Sequence, residues 1–226
     1  MVIAQESTHT KQFNNIKSRK ALSSTNLEVL TEIYQNDVNI AVWQRELSKA
    51  LIIQSQQLLE QLPNLKVIET VTPSNAYEYL AEHLSEFHEK DELCQQVSLL
   101  VDMFCTLFEL KTVGLRLTAL DRAMCPKFHV DNIPCRLVTT FTGVTTQWVS
   151  NDVIDRTKLG AGCQGLSDET SGLLQDVNHI NQLSIGDVAL LKGEGWFEND
   201  GGGLVHRSPK PENGDQRLLL TLDFIN

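Results

Sequence analysis

Three residues stand out for the chemistry their types and spacing permit: His129 and Asp131, in the run His129-Val130-Asp131, and His206 far downstream. Two imidazole nitrogens and one carboxylate oxygen on one face of a metal leave the opposite positions open, the ligand set of non-haem Fe(II) centres that take oxygen and a cosubstrate. In an extended chain alternate side chains share a face, so His129 and Asp131 point one way and Val130 the other. His206 ends a short apolar run, Leu204-Val205-His206, that can return beside the first as a neighbouring strand. A lone His-x-Asp pair is more often hydrogen-bonded or solvated than metal-bound, so the weight falls on what accompanies it.

Arg217 accompanies it. It opens the run Arg217-Leu218-Leu219-Leu220-Thr221-Leu222-Asp223-Phe224, in which Arg217, Leu219, Thr221 and Asp223 share a face. A guanidinium there can clamp a carboxylate through two parallel hydrogen bonds, such as the far end of a 2-oxoglutarate cosubstrate. Arg207 follows His206 directly and is expected on the opposite face, whereas Ser208 returns to the side of His206 and can offer its hydroxyl to the same carboxylate. Zinc is the competing reading: Cys125 and Cys135 flank His129, and with Asp131 or His206 they would complete a tetrahedral thiolate and imidazole site. The protein would then be a non-catalytic zinc-binding or metal-homeostasis protein.

These residues need a scaffold, and the chain divides into two characters. At 226 residues it is long enough to bury one core, or a helical part packed on a β part. Residues 1–26 are polar and lack a period, the pattern of a flexible tail. Residues 27–110 read as helical: Trp43, Leu47, Leu51, Leu58 and Leu62 recur near the helical period and stop at Pro63-Asn64. Leu93, Val97, Leu100, Val101, Phe104, Leu107 and Phe108 mark a second long helix. Between them residues 67–71 suit a short strand, and Ser74 suits the N-cap of a helix carrying Tyr77, Leu80 and Leu84. All these apolar side chains read as core.

From 111 to 226 short β-rich runs take over, at 113–117, 128–130, 136–141, 146–149, 188–191, 204–206 and 217–224. Helices followed by strands predict an α+β fold in which N-terminal helices pack on a C-terminal double-stranded β-helix, a cupin-like jelly roll with a metal in its mouth, the two forming one compact unit. The segment 150–186 is long, polar and punctuated by glycine, as functional lids and insertions are.

Together Asn39-Ile40-Ala41-Val42-Trp43-Gln44-Arg45, Cys125-Pro126-Lys127-Phe128-His129-Val130-Asp131, Arg136-Leu137, Gln147-Trp148, the run Gly186-Asp187-Val188-Ala189-Leu190-Leu191-Lys192-Gly193 and His206-Arg207-Ser208-Pro209 resemble a bacterial family catalogued as domain of unknown function 1826. The likeness covers roughly residues 35–226. The C-terminal half is also similar to the Fe(II)/2-oxoglutarate oxygenase superfamily, with its His-x-Asp, distal His and basic residue further on. That resemblance implies iron on His129, Asp131 and His206, and the 5-carboxylate of 2-oxoglutarate on Arg217. It also implies that Arg136, soon after the His-x-Asp, contacts substrate or cosubstrate; Pro134 interrupts the alternation, so a structural ion pair stands as an equal reading. The gap between the histidines is long for the superfamily, and the 150–186 segment would absorb the excess.

Other signals carry less. With 29 acidic against 19 basic side chains the formal charge is −10, which disfavours nucleic acid and anionic membrane surfaces as partners and leaves an unidentified small molecule or protein side chain as substrate. No leader or apolar span is expected, the five cysteines follow no paired spacing, and a cytoplasmic protein with reduced thiols results. Gly160-Ala161-Gly162-Cys163-Gln164-Gly165 matches GxGxxG without a strand before it or a helix after it, so it reads as a flexible lid rather than a dinucleotide site. Gly201-Gly202-Gly203 suits a tight turn or a close backbone approach to a ligand. No ligand role is expected for His83 and His88, and His9 and His179 read as solvated.

Overall fold

The computed structural model describes residues 18–212 and 214–225. Of the expected tail, residues 1–17 lie outside the described residues; the remainder is no tail, because Lys20–Ser24 forms strand β1, parallel to β2 (Val38–Trp43). β2 also corrects the helical reading of Trp43. Its residues are buried on both faces, so the period-two alternation that marks a strand is missing from the sequence. Helix α1 (Lys49–Gln61) starts only after it, with the Ser48 hydroxyl accepting a hydrogen bond from the Leu51 amide at 3.0 Å. Leu51 and Leu58 face the core, and Pro63 follows the helix where it cannot continue.

Strand β3 (Lys66–Val71) leads to α2 (Ala76–His83) and α3 (Asp91–Leu107). Asn75, not Ser74, occupies the N-cap position of α2; the Ser74 hydroxyl pairs with that of Thr72 instead, 2.9 Å away. On α3 Leu93, Val97, Leu100, Val101 and Phe104 are buried at the spacing their pattern implies.

Beyond residue 110 the chain is β-rich: β4 (Val113–Leu120), β5 (Cys135–Thr142), β6 (Gln147–Val149), β7 (Asn181–Gln182), β8 (Val188–Lys192), β9 (Val205–Arg207) and β10 (Arg217–Asp223). The result is an α+β fold with two sheets, one of order β1-β2-β8-β5-β10-β4-β3 and a smaller one of order β7-β6-β9. β10 lies between β5 and β4, antiparallel to both. Its Leu218, Leu220 and Leu222 enter the main core with the helices, each contributing on the order of 2 kcal/mol by leaving water. Leu219 turns the other way and packs with Leu204 and Trp148 of the smaller sheet's side. Arg217 and Thr221 share that second face, where a cavity opens.

The 150–186 segment is a packed insertion. It buries Ile154 and Leu173 against Phe128, Val149 and Val205, and Ile154 forms an antiparallel bridge with Leu174. The GxGxxG stretch contains a 3-10 turn, Gly160–Cys163, in which Cys163 is buried and the flanking residues are mostly exposed. The three glycines at 201–203 wrap a carboxylate: the amides of Gly201 and Gly203 donate to Glu194 at 2.7 and 3.3 Å. Among the described residues no helix is long and apolar enough to cross a membrane.

Candidate metal centre

His129 precedes β5 in a stretch that is not a regular strand, contrary to the expectation for 128–130; it makes an isolated antiparallel bridge with His206 on β9. Each residue's amide donates to the other's carbonyl at 3.0 Å, which sets the two imidazoles side by side with centroids 4.6 Å apart. The rings are pinned from behind. Nδ1 of His129 lies 3.0 Å from the Lys127 carbonyl and Nδ1 of His206 lies 3.2 Å from the Leu204 carbonyl. A carbonyl only accepts, so Nδ1 carries the proton and each Nε2 presents its lone pair forward. Burial, opposed by Asp131, pushes the His206 imidazole down to about 4, so the ring is neutral at neutral pH.

Asp131 completes the set, one oxygen 3.8 Å from Nε2 of His129 and the other 3.5 Å from Nε2 of His206. One donor atom from each residue falls within 4.8 Å of the other two, and these three residues are the metal-capable cluster among the described residues. Asp131 Oδ2 is buried and accepts no hydrogen bond, although the Arg136 guanidinium sits 2.9 Å from it. A carboxylate whose two oxygens face two imidazole nitrogens suits a divalent cation. The backbone of the Asp131 turn is braced by the residues just after β8: the Glu194 amide donates to the Asp131 carbonyl at 2.8 Å, and the Gly193 amide to the Pro134 carbonyl at 2.9 Å. Gly193 permits this approach, because a Cβ there would lie 2.1 Å from the Ile133 carbonyl oxygen.

Arg136 resolves towards the ion pair. It grips Asp223 of β10 through two hydrogen bonds of 2.6 and 2.9 Å while its third nitrogen meets Asp131. Burial alone would lower its pKa, but Asp223 and Asp131 raise it above the ordinary value. If the three residues hold a divalent metal, Asp223→Asn is expected to weaken its binding by about tenfold without abolishing it, as loss of a group that orients a ligand does. A competition titration against a chromophoric chelator measures this, and an unchanged affinity would reduce the pair to a cross-strand tie.

Arg217 is fully buried and lines the same cavity as His129 and His206. One terminal nitrogen donates to Ser208 at 2.9 Å and the other to Thr140 and Thr146 at 3.1 and 3.4 Å, while Nε has no partner. No carboxylate pairs with it among the described residues, and burial pushes its pKa down to about 10. Gly143 lets the β5–β6 turn press on its backbone: φ is +87°, and a Cβ would lie 2.6 Å from Arg217 Cα. Arg207, on the opposite face from His206, stacks over Phe128 and binds Asp168 at 3.0 Å. Asp168 also accepts from the Phe128 amide at 2.9 Å, so the insertion braces both ligand-bearing segments.

The thiolate alternative fails on geometry. Cys135 projects from β5 into the main core, on the face opposite Arg136, and burial raises its pKa. Cys125 is exposed at the cavity edge. Cys135→Ser is therefore expected to cost about 1–3 kcal/mol of stability for burying a hydroxyl among apolar groups, with metal content unchanged. Thermal unfolding and elemental analysis of the same sample separate the two effects. The remaining histidines stay apart: His83 stacks on Tyr79 at 4.2 Å, His88 and His179 are exposed, and His9 lies outside the described residues. Asp223, Thr140, Thr146 and Asp168 are the site residues the sequence did not single out, though Asp223 shares a strand face with Arg217.

The fold resembles that of Fe(II)- and 2-oxoglutarate-dependent oxygenases, and the His-Asp-His group is consistent with a facial metal site. The chain belongs to the family described as protein of unknown function (DUF1826), whose profile matches residues 24–223. Dioxygenase for auxin oxidation 1 from Arabidopsis thaliana, solved with 2-oxoglutarate, superposes with a TM-score of 0.50 at 7% identity, covering 92% of each chain. HygX from Streptomyces hygroscopicus has a TM-score of 0.48 at 12% identity, covering 90% of this chain and 86% of its own. AviO1 from Streptomyces viridochromogenes has 0.44 at 15%, covering 90% and 96%. No curated protein matches the sequence.

Proposed function

We propose that this protein is an Fe(II)- and 2-oxoglutarate-dependent oxygenase on a double-stranded β-helix, acting in the cytoplasm on a small molecule or a protein side chain. The observation that carries the reading is Arg217. A fully buried guanidinium with hydroxyl partners alone is costly to fold, and a dicarboxylate cosubstrate would supply the missing charge beside the triad. The dioxygenase for auxin oxidation 1, similar in fold, was solved with 2-oxoglutarate. Five free cysteines suit a reducing compartment, and a net charge of −10 argues against nucleic acid and anionic membranes as partners.

His129, Asp131 and His206 would hold the iron, which when bound supplies the centre for oxygen activation. The chain's own residues supply the rest. The Lys127 and Leu204 carbonyls hold both imidazoles with Nε2 aimed inward, and Arg136 with Asp223 holds the Asp131 carboxylate in place. Arg217 and Ser208 would orient the cosubstrate by its far carboxylate, while Val138, Leu191 and Leu219 wall the cavity against water. The free space is about 50 Å³, small for a dicarboxylate, so cosubstrate entry would require side chains to part. Met124, an unbranched thioether at the exposed edge, is suited to swing aside.

The test is an anaerobic titration of the Fe(II)-loaded protein with 2-oxoglutarate, followed by metal-to-ligand charge-transfer absorption. A saturable band is expected. Its absence at millimolar 2-oxoglutarate removes the cosubstrate from the reading and leaves a non-catalytic metal protein, zinc included, as the better account.

A further inference from the structure

The face of the large sheet that carries the metal cavity continues beyond it. Among the described residues, the apolar cluster under the smaller sheet takes Leu219 from β10, only Leu120 from β4 and nothing from β3. The outer part of that face is therefore uncovered. Arg116 of β4 pairs with Thr221 of β10 on one side and with Ile68 of β3 on the other, so the three side chains share the face. Ile68 is 43% exposed and Arg116 half-buried, one strand or about 5 Å from the Thr221 wall of the metal cavity.

A groove of about 560 Å³ lies over this surface, within the size range of small-molecule sites. Lys66, Arg116 and Arg122 line it, against one carboxylate, Asp121. Among the described residues none of these four forms an ion pair. The carboxylates around them are turned away or engaged: Asp131 and Asp223 hold Arg136, Glu69 bonds Tyr79 on the helical side of β3, and Glu212 and Asp215 do not line the groove. In a chain of net charge −10, an accessible groove with three cations and one carboxylate favours an anionic occupant.

The groove and the metal cavity meet at Met124, which lines both. Its thioether accepts from Arg116 at 3.8 Å, and its amide donates at 3.4 Å to the Ser208 hydroxyl that also accepts from Arg217. Displacing this one unbranched side chain would join the two spaces.

We infer that the groove binds the anionic group, a carboxylate or a phosphate, of the molecule on which the metal centre acts. Arg116 is its principal partner, Lys66 and Arg122 flank it, and the reacting end of the molecule is directed past Met124. The substrate role rests on the oxygenase reading, whereas the anion site stands without it.

The full chain is titrated by ligand-observed NMR, without cosubstrate, with phenylacetate and separately with phenyl phosphate, and with phenylacetamide as the neutral control. At least one anion is expected to saturate in the millimolar range or tighter, and the tighter of the two identifies the group. Arg116→Gln is expected to weaken it at least about tenfold, as loss of a forked charged donor does, and Lys66→Gln with Arg122→Gln to weaken it further. All three side chains are exposed or half-buried, so these variants are expected to fold. With Mn(II) in the triad, the bound probe's proton lines are expected to broaden more than with Zn(II). The anion site is overturned if neither anion saturates, if phenylacetamide binds equally well, or if Arg217→Met loses the probe while Arg116→Gln keeps it. Bound probe that Mn(II) leaves sharp overturns the substrate role. Failure of the protein to take Mn(II) counts against the metal reading instead, and the titrations still decide the anion site.

Discussion

His129→Ala is expected to abolish stoichiometric Fe(II) binding while leaving the fold in place. Of the three ligands it is the most exposed, its side chain 30% accessible, so its removal opens no buried void. Loss of a direct ligand exceeds the ten- to hundredfold effect of losing a group behind one, so a weakening of more than about hundredfold is expected. Asp131→Ala should match it. Arg136 keeps its bidentate partner Asp223 in that variant and is not stranded. His206→Ala also loses the metal but truncates a side chain that is 5% exposed, and some loss of stability accompanies it. Anaerobic loading followed by elemental analysis gives the answer, with circular dichroism to show that each variant is folded. Iron retained at wild-type stoichiometry by folded His129→Ala and Asp131→Ala would remove the metal assignment.

Arg217→Met is expected to have opposite effects on the cosubstrate and on the empty protein. Removing the partner of a buried carboxylate costs about 2–5 kcal/mol, so 2-oxoglutarate should bind roughly 30-fold to several-thousand-fold more weakly. Iron should remain, because Arg217 is no ligand. Without cosubstrate, an apolar side chain of similar length replaces a desolvated charge that has no counter-ion, and stability should hold or rise. Thermal midpoints with and without 2-oxoglutarate measure both arms: the wild type gains from the cosubstrate and the variant does not. A variant that melts far below the wild type and still responds to 2-oxoglutarate would make Arg217 a structural cation. Arg207→Ala is the control for strand register, since its guanidinium binds Asp168 on the other face.

The metal-capable residues were legible because their signal is short-range: one intervening residue puts His129 and Asp131 on a side, and parity along β10 puts Arg217 with Thr221 and Asp223. What was illegible depended on distant partners. Thr140 and Thr146 reach Arg217 from β5 and the turn after it, and in sequence they read as ordinary strand formers. Pro134 hid the direction of Arg136, which the register of β5 against Asp223 decides. Of the fold, α1 and α3 follow their apolar periods, whereas β2 lacks alternation because both its faces are buried, and β1 is a short polar edge strand. The thiolate alternative could have been weakened earlier. Cys135 and Arg136 are neighbours on one strand, so only one of them can face the cavity.

The reciprocal main-chain bonds between His129 and His206 bear on how the protein would acquire a metal ion in a living cell. Both rings are brought together by peptide groups and pinned by carbonyls, so the donors stand ready as soon as the strands pair. Such a pocket is filled after folding, by whichever divalent ion the surroundings offer. Nitrogen and oxygen donors favour zinc and copper over ferrous iron, and nothing in two imidazoles and a carboxylate reverses that order. On the oxygenase reading iron occupancy would then be a matter of supply: protein made where zinc is plentiful would emerge with the wrong ion yet fully folded, and its inactivity would carry no structural trace.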